Sequence, residues 1–451
     1  MARPTSTLLL LFAAIAGAGC RDKGPEGIAL VGATLIDGSG GAPLRDAVVV
    51  VRGTRVEFVG PRAGFDMPKN TREVDASGKW IIPGLIDAHA HVAPWTLPRY
   101  LAYGVTTVRD LHGGLDSILA LRERANLNAV ASPRIYSAGA MIDGTPTTYP
   151  DALPAPDADA ARRAVDQLAV SGADLIKLYT RIDPALMRAI LEEARTFGLR
   201  ATAHLGLTDA VTAAALGVRS IEHLSGIAES ASDPAPLYAA HRRGFFPGWT
   251  LVERSWARLD SAALARVARE LAERRVILVP TLTVHETFSR LDEPNSMQDS
   301  ALAAVPPEEQ ARWNTPDMVR RAGWTPDDFA AFRASRPRQD LFIRLFRAAG
   351  GVIVTGTDAS NQMLVPGESE HDELELLVRA GLPPEDALLA ATRNAALLIG
   401  ADSIGTIAAG RVADLVVLGQ DPLSDIRNTR AIEKVMVRGT LMPADSIRRA
   451  W

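Results

Sequence analysis

The sequence holds a single cysteine, Cys20, in 451 residues. A lone cysteine cannot form an internal disulfide, so the fold must be stabilised by its core. The chain also has no large excess of charge of one sign. It contains 49 basic and 53 acidic residues, and its formal net charge is -4. Without a basic surplus or a run of like charge, nucleic acid is not expected as a partner.

Two motifs are missing as well. No glycine-rich GxGxxG stretch follows the first strand of the central region, which weakens a nucleotide-binding sheet. No convincing serine or cysteine nucleophile motif is present, and this favours direct attack by water on the substrate. What the chain does have is length and a 47% hydrophobic composition, enough for one large and one smaller globular domain.

The N-terminus reads MARPTSTLLLLFAAIAGAGC and has the pattern of a secretory signal, predicted at 1–20 and followed by a linker at 21–27. Cys20 after Gly-Ala-Gly resembles the lipobox of bacterial lipoproteins, in which the cysteine is lipidated. Gly17 stands where lipoboxes usually carry an aliphatic residue, which leaves cleavage without lipidation open. We therefore expect an exported protein, either a periplasm-facing lipoprotein held by a lipid anchor or a free periplasmic one.

Both ends of the remaining chain have the texture of strands and hairpins. Residues 28–80 alternate short β-rich runs with glycine turns, and residues 400–447 repeat the pattern in IGTIAAGRVADLVVLG and IEKVMVRG. We predict that the two segments form one small β-sandwich domain.

Residues 81–399 alternate eight strand-like runs with helical stretches. Such repetition over ~300 residues predicts an α/β fold of the (β/α)8 TIM-barrel type, with an open doubly wound sheet as the alternative. A long segment at 286–344 interrupts the last two units. It is predicted either to cap the barrel mouth or to form a peripheral helical decoration.

The run IIPGLIDAHAH ends in His89 and His91, which lie two residues apart and so project to the same side of a strand. Lys177 lies within the apolar run GADLIKLYT, where an unpaired ammonium would be costly. It either reaches the mouth to form an ordinary ion pair or serves as a metal ligand after losing its positive charge.

Three further candidates end later strands: His204 in LRATAHLG, His223 in VRSIEHLSG and Asp358 in GVIVTGTDAS. The C-terminal strand ends of a TIM barrel meet at one face, so these side chains should converge with the first pair and with Lys177. Two divalent metals roughly 3.5–4 Å apart can hold a bridging hydroxide and polarise a carbonyl or phosphoryl oxygen. Imidazoles and carboxylates suit Zn²⁺, and Asp358 could move the proton from the attacking water to the leaving group.

These motifs, in this order, resemble the metal-dependent amidohydrolase superfamily, and within it the imidazolonepropionase-like and prolidase-like branch. The resemblance runs from IIPGLIDAHAH through GADLIKLY, ATAHLG, SIEHLSG and TGTDAS to IGTIAAGRVADLVVLGQDPL. It implies two metal ions, with His89, His91 and Asp358 on one and His204 and His223 on the other. It also implies that CO₂ converts Lys177 to a carbamate that bridges the two.

The resemblance has a gap after the third strand. Dipeptidase-like members carry a histidine there that contacts the substrate carboxylate, whereas this chain reads SAGAMIDGTPTTYPD. Tyr149, Tyr179 or Arg181 would have to replace that contact.

Other histidines are weighed by position. His112 in DLHGG either faces the mouth or caps a loop, and His285 at the end of VILVPTLTVH is a candidate substrate contact. His371 is a weaker candidate of the same kind. His241, beside two arginines, is interpreted as a surface residue.

The sequence thus predicts a metal-dependent hydrolase of C–N bonds in a small substrate. The alternative is hydrolysis of a lactone or an organophosphate ester at the same site. A third hypothesis is a non-catalytic binding lipoprotein. Self-association into a homo-oligomer is left open.

Overall fold

The structure is a computed structural model that describes residues 26–128, 131–293 and 300–449. The predicted signal with Cys20, and nearly all of the predicted linker, lie outside the described residues. None of the helices in the described ranges combines the length and the hydropathy that crossing a bilayer requires.

In chain order, the strands are β1 (Gly27–Leu35), β2 (Leu44–Arg52), β3 (Arg55–Pro61), β4 (Thr71–Asp75), β5 (Trp80–Pro83), β6 (Leu85–Ala90), β7 (Val105–Asp110), β8 (Arg134–Ser137), β9 (Ile142–Asp143), β10 (Leu153–Pro154), β11 (Ile176–Leu178), β12 (Ala201–Ala203), β13 (Ser220–Glu222), β14 (Ile277–Val279), β15 (Val352–Ile353), β16 (Leu415–Leu418), β17 (Ile432–Val437) and β18 (Thr440–Pro443).

The helices are α1 (Leu97–Ala102), α2 (Leu115–Asn126), α3 (Ala158–Ser171), α4 (Pro184–Thr196), α5 (Ala210–Leu216), α6 (Ile227–Ala231), α7 (Ala235–Arg243), α8 (Phe245–Ser255), α9 (Ser261–Glu273), α10 (Leu282–Phe288), α11 (Pro307–Arg312), α12 (Thr315–Ala322), α13 (Pro326–Ala348), α14 (Glu368–Arg379), α15 (Pro384–Ala390), α16 (Arg393–Ile399) and α17 (Ala444–Arg448). Short 3₁₀ turns lie at Pro94–Thr96, Trp256–Arg258, Ser300–Ala304 and Ile426–Arg430.

Several helices between the parallel strands begin at an aspartate. The carboxylate accepts a hydrogen bond from a backbone N–H of the first turn, which would otherwise lack a partner. The residues that do this are Asp157 before α3, Asp183 before α4, Asp209 before α5 and Asp260 before α9.

Strands from both ends of the described chain form one mixed sheet. β5 pairs parallel to β1 and antiparallel to β16, which joins the N-terminal and C-terminal segments as predicted. β2 is buried on both faces, with Val49 and Val51 in one apolar cluster and Val48 and Val50 in another. The far edge at β3 returns to residues 410–413 through backbone hydrogen bonds, so the sheet curls onto itself. The predicted sandwich stays a prediction.

The eight predicted strands of the central region are all present, and they pair parallel in chain order within two groups. β6, β7 and β8 are hydrogen-bonded neighbours, as are β11 to β15. Asp174 N donates to Ser137 O at 2.8 Å and links the two groups. Ala88 N donates to Thr355 O at 3.1 Å, which brings the first strand beside the last. The predicted mixed α/β architecture with a parallel sheet is therefore confirmed.

The run WIIPGLIDAHAH, predicted as one strand, forms two. β5 belongs to the mixed sheet and β6 begins the parallel strands, with Gly84 between them. A Cβ at Gly84 would lie 2.1 Å from Thr106 Oγ1, so only glycine lets the chain cross so close to β7.

The described part of the segment predicted at 286–344 is mostly helical and packs over two strand ends. Its Trp324 and Phe332 share an apolar cluster with Ala359, the residue after Asp358. Val305 packs in a second cluster with Val365 and with Trp95, four residues after His91. The segment therefore lies where the predicted cap would lie, beside the ends of β6 and β15.

Candidate active site

The predicted ligand residues converge at one end of the parallel strands. The ring centroids of His89 and His223 are 4.4 Å apart, and those of His204 and His223 are 4.5 Å apart. Asp358 Oδ1 lies 3.2 Å from His89 Nε2 and 2.9 Å from His91 Nε2. Residues that end four separate strands therefore lie together at one place, as the convergence of strand ends predicts.

The tightest group differs from the pairing that the resemblance implies. One ligand atom each from His89, His223 and Asp358 lie within 4.8 Å of one another, although His89 and His223 were assigned to different metals. His91 joins this group through Asp358, and His204 joins it through His223. The histidines form a continuous row along the mouth.

The hydrogen bonds of the first pair leave two imidazole Nε2 atoms facing one carboxylate oxygen. His89 Nδ1 is 2.7 Å from Glu222 Oε2, and His91 Nδ1 is 3.1 Å from the carbonyl oxygen of His112. Both partners only accept hydrogen bonds, so each Nδ1 carries a proton and Nε2 is the atom that each ring directs at Asp358. Two imidazole nitrogens and one carboxylate oxygen this close together are a donor set that fits a divalent metal.

Asp358 is held ready as an anion. Burial would raise the pKa of its carboxyl, but His89 and the hydrogen bonds from both histidines outweigh burial and place the pKa well below the ordinary value. Asn361 Nδ2 donates to Asp358 Oδ2 at 2.8 Å and leaves Oδ1 directed at the histidines. Asp358 is therefore a carboxylate at neutral pH.

Lys177 lies fully inside the protein without a compensating contact. The residue is 2% exposed, and Nζ has no hydrogen-bond partner among the described residues. Burial lowers the pKa of Lys177 to about 8, against the pull of Glu222 and Asp358 in the other direction. No described residue forms the ordinary ion pair that was the first interpretation of Lys177. A buried nitrogen with a lowered pKa fits modification to an anionic ligand.

Strained backbone marks the site. His223, Asp358 and Thr281, whose hydroxyl lies 2.7 Å from His223 Nδ1, all have φ between 47° and 61°. Left-handed conformations of non-glycine residues cost of order 1–3 kcal/mol each and persist where the surroundings enforce them. The strain is located at the residues that aim ligand atoms.

Two buried charged residues that the sequence reasoning missed complete the site. Arg109 in β7 and Glu222 in β13 form an ion pair, with Arg109 Nη2 2.8 Å from Glu222 Oε1. Burial would raise the pKa of Glu222, but Arg109 and His89 lower it far below the ordinary value. The signal was available, since Arg109 interrupts the apolar run VTTVRDL as Lys177 interrupts its own.

Three of the predicted substrate contacts line the approach to the histidines. The Tyr179 ring centroid is 4.9 Å from His204 and 5.6 Å from Tyr149, which is 39% exposed. Tyr149 in turn is 5.8 Å from the ring of His112. His112 Nε2 lies 3.1 Å from Asp151 Oδ1 and its Nδ1 accepts from Met141 N at 3.3 Å, so both of its nitrogens are engaged with loop residues. A row of rings thus leads from solvent to His204.

His285 has a different placement from the one expected of a substrate contact. The residue is 2% exposed, its Nε2 lies 3.0 Å from the carbonyl oxygen of His223, and its Nδ1 lies 3.0 Å from Glu253 Oε1. Both nitrogens are engaged, so the geometry gives no support to a substrate contact here. His285 instead supports the backbone of His223.

The two remaining histidines are buried in structural positions. His371 bonds to Thr429 Oγ1 at 2.9 Å and to Tyr103 O at 3.0 Å, away from the row of ligands. The surface interpretation of His241 is wrong, because the side chain is 6% exposed and pairs with Glu229 Oε1 at 3.1 Å. The two neighbouring arginines suggested a surface position, but on α7 they point away from the direction of His241.

Comparison with known proteins agrees with this geometry. A family model described as "Amidohydrolase family" matches residues 80–442. Ochratoxinase of Aspergillus niger is 24% identical over 499 aligned residues, covering 93% of this chain and 88% of the relative. Imidazolonepropionase of Deinococcus radiodurans is 27% identical over 392, covering 84% and 87%.

Among solved structures, bottromycin amidohydrolase superposes with a TM-score of 0.71 at 25% identity, covering 95% of this chain and 90% of that one. The family match spans most of the chain and includes every residue of the histidine row. The chain belongs to the amidohydrolase family.

Proposed function

We propose that the protein is a metal-dependent hydrolase that cleaves a C–N bond, of amide or peptide type, in a small substrate. The observation that carries the proposal is the pair of Nε2 atoms, from His89 and His91, that lie 3.2 Å and 2.9 Å from one oxygen of Asp358. The names of three similar proteins, ochratoxinase, imidazolonepropionase and bottromycin amidohydrolase, support C–N chemistry.

Six residues would hold the metal. His89, His91 and Asp358 would bind one ion, His204 and His223 a second, and Lys177 would bridge them as a carbamate. Bound divalent ions, most simply Zn²⁺, would activate water as a nucleophile at neutral pH and polarise the substrate carbonyl. The unpartnered Nζ of Lys177 supports this assignment, because its lowered pKa makes the neutral amine that reacts with CO₂ accessible near pH 8.

The side chains at the mouth would handle substrate and proton. Asp358, ionised and buried, would accept the proton of the attacking water and pass it to the nitrogen of the leaving group. Tyr179, Tyr149 and His112 would line the substrate, since their rings lead from solvent to His204. The helical segment over the ends of β6 and β15 would limit the size of the substrate and exclude water.

The proposal includes the finer architecture and the location. The parallel strands would close into a (β/α)8 barrel, beside a β-sandwich built from both ends of the chain. The signal-like N-terminus would direct export, with Cys20 as the site of a lipid anchor. Fractionation of cells that express a Cys20→Ser variant tests the anchor, because the variant should leave the membrane fraction. A small molecule, and not nucleic acid, would be the partner.

A substrate panel with matched variants tests the function. The wild-type protein should show its highest kcat/KM on N-acyl amino acids or dipeptides, compared with lactones and aryl phosphotriesters. Asp358→Asn should lower kcat by at least about 100-fold, since proton transfer typically contributes 10²–10⁴-fold. Asp159→Asn, at a side chain that is 82% exposed, is the control and should leave kcat unchanged. Preference for lactones or phosphotriesters would refute the C–N assignment, and activity retained in Asp358→Asn would refute the site.

A further inference from the structure

Glu222 lies in the interior of the parallel strands with both carboxylate oxygens engaged. The residue is fully buried. Its Oε1 accepts from Arg109 Nη2 at 2.8 Å, from Ser220 Oγ at 3.1 Å and from the Thr202 hydroxyl. Its Oε2 accepts from His89 Nδ1 at 2.7 Å. One oxygen is anchored by the strands, and the other is directed at a ligand histidine.

Arg109 holds both the side chain and the backbone of the same ligand. It is 2% exposed, and in addition to Glu222 its Nε donates to the carbonyl oxygen of Ala88, the residue before His89. Its Nη1 donates to Ser220 Oγ at 3.3 Å. The guanidinium thus connects β6, β7 and β13 at the floor of the histidine row.

His89 differs from its neighbours in the charge of its partner. His91 donates to a backbone carbonyl, and His223 contacts the Thr281 hydroxyl, whereas His89 donates to a carboxylate. Charge-assisted hydrogen bonds are roughly twice as strong as neutral ones. A hydroxyl can donate or accept, but a carboxylate accepts only, so the tautomer of His89 is set most firmly of the three.

We propose that Glu222 and Arg109 are a positioning pair that keeps the proton of His89 on Nδ1 and its Nε2 lone pair on the metal site. The proposal rests on the proposed function, because it assumes that His89 binds a metal. Neither residue touches the substrate or the reacting atoms. Their action passes through His89, whose ring they orient and whose basicity they raise.

Metal affinity of the full-length chain, after chelation, is the direct test. Loss of a partner that orients a ligand histidine typically lowers metal affinity about 10–100-fold. Glu222→Gln should therefore weaken Zn²⁺ binding by that factor in competition with a chromophoric chelator. Arg109→Lys keeps the positive charge and should restore most of the affinity that Arg109→Met loses.

Glu229 provides a matched control. It is also a buried glutamate paired with a histidine, but its partner His241 is not in the ligand row. Glu229→Gln should lower the free energy of unfolding about as much as Glu222→Gln and leave Zn²⁺ affinity unchanged. Unchanged affinity in Glu222→Gln, or an equal loss in Glu229→Gln, overturns the proposal.

A second measurement needs no variant. Side-chain nitrogen NMR of the metal-free wild-type chain reports the tautomer of His89, and the proposal requires the proton on Nδ1. A ring that carries its only proton on Nε2 overturns it. If wild-type protein binds no metal at all, the proposed function fails instead, and the tautomer measurement still decides the role of the pair.

Discussion

Replacement of Lys177 by methionine should stabilise the metal-free protein while it abolishes activity. The ammonium of Lys177 is buried and lacks a hydrogen-bond partner among the described residues. Methionine has a similar length and no charge, so it fills the same space without the desolvation cost. A substitution that improves folding and removes function is expected where a residue is kept for its chemistry.

The magnitude follows from the pKa. Burial lowers the pKa of Lys177 from 10.5 to about 8, a difference of about 2.5. At about 1.4 kcal/mol for each unit of pKa, the buried charge costs the folded state about 3 kcal/mol at pH 7. The folded protein binds fewer protons than the unfolded chain between pH 8 and 10.5, so the cost is full below pH 8 and disappears as the pH rises. At pH 9.5 about 1.5 kcal/mol of it should remain.

Urea unfolding in CO₂-free buffer with a chelator measures this cost of the buried charge. The free energy of unfolding of Lys177→Met should exceed that of the wild type by about 3 kcal/mol at pH 7. This difference should be smaller by about 2 kcal/mol at pH 9.5. Lys69→Met, at an exposed lysine, is the control and should show no pH-dependent gap. A Lys177→Met variant that is less stable than the wild type, or a gap that does not change with pH, would refute the reasoning.

Two further predictions concern parts of the fold away from the ligands. Burial lowers the pKa of His371 to about 3. As the pH falls from 6.5 towards 3, the unfolded chain therefore binds a proton at this histidine that the folded chain does not bind, and the folded state loses stability. Between pH 7 and pH 5 the wild type should lose about 2 kcal/mol more than His371→Gln in chemical unfolding, and equal losses would contradict this. Gly84→Ala should lower the free energy of unfolding by at least about 2 kcal/mol, because its Cβ would overlap Thr106. Gly41→Ala, whose Cβ would lie 3.3 Å from Ser39 Oγ, should be mild by comparison in the same assay, and an equal loss would contradict the explanation of the Gly84 crossing.

Much of the site could be predicted because strand ends converge. His204, His223 and Asp358 each follow a short apolar run, and parallel strands that pair in order place such ends together. The alternation of strands and helices is enough to predict this convergence. It does not depend on knowing how any one side chain is oriented.

The missed residues depend on contacts across the strands. Glu222 precedes His223, yet its pairing with Arg109 joins residues 113 apart in sequence, which no local pattern specifies. The burial of His241 was missed for the same reason, because its partner Glu229 comes from packing between helices, and the pairing of His285 with Glu253 could not be predicted either. The break of the first run at Gly84 was missed because both halves are apolar and β-prone.

The account as a whole depends on metal at the histidine row, and a coupled titration of metal against turnover tests it most directly. Protein stripped by a chelator should have no amidase activity, and Zn²⁺ should restore turnover in proportion to the metal bound, up to two ions per chain. Asp358→Asn should bind less metal and show no restored turnover. Full amidase activity in protein that contains no stoichiometric transition metal would contradict the account.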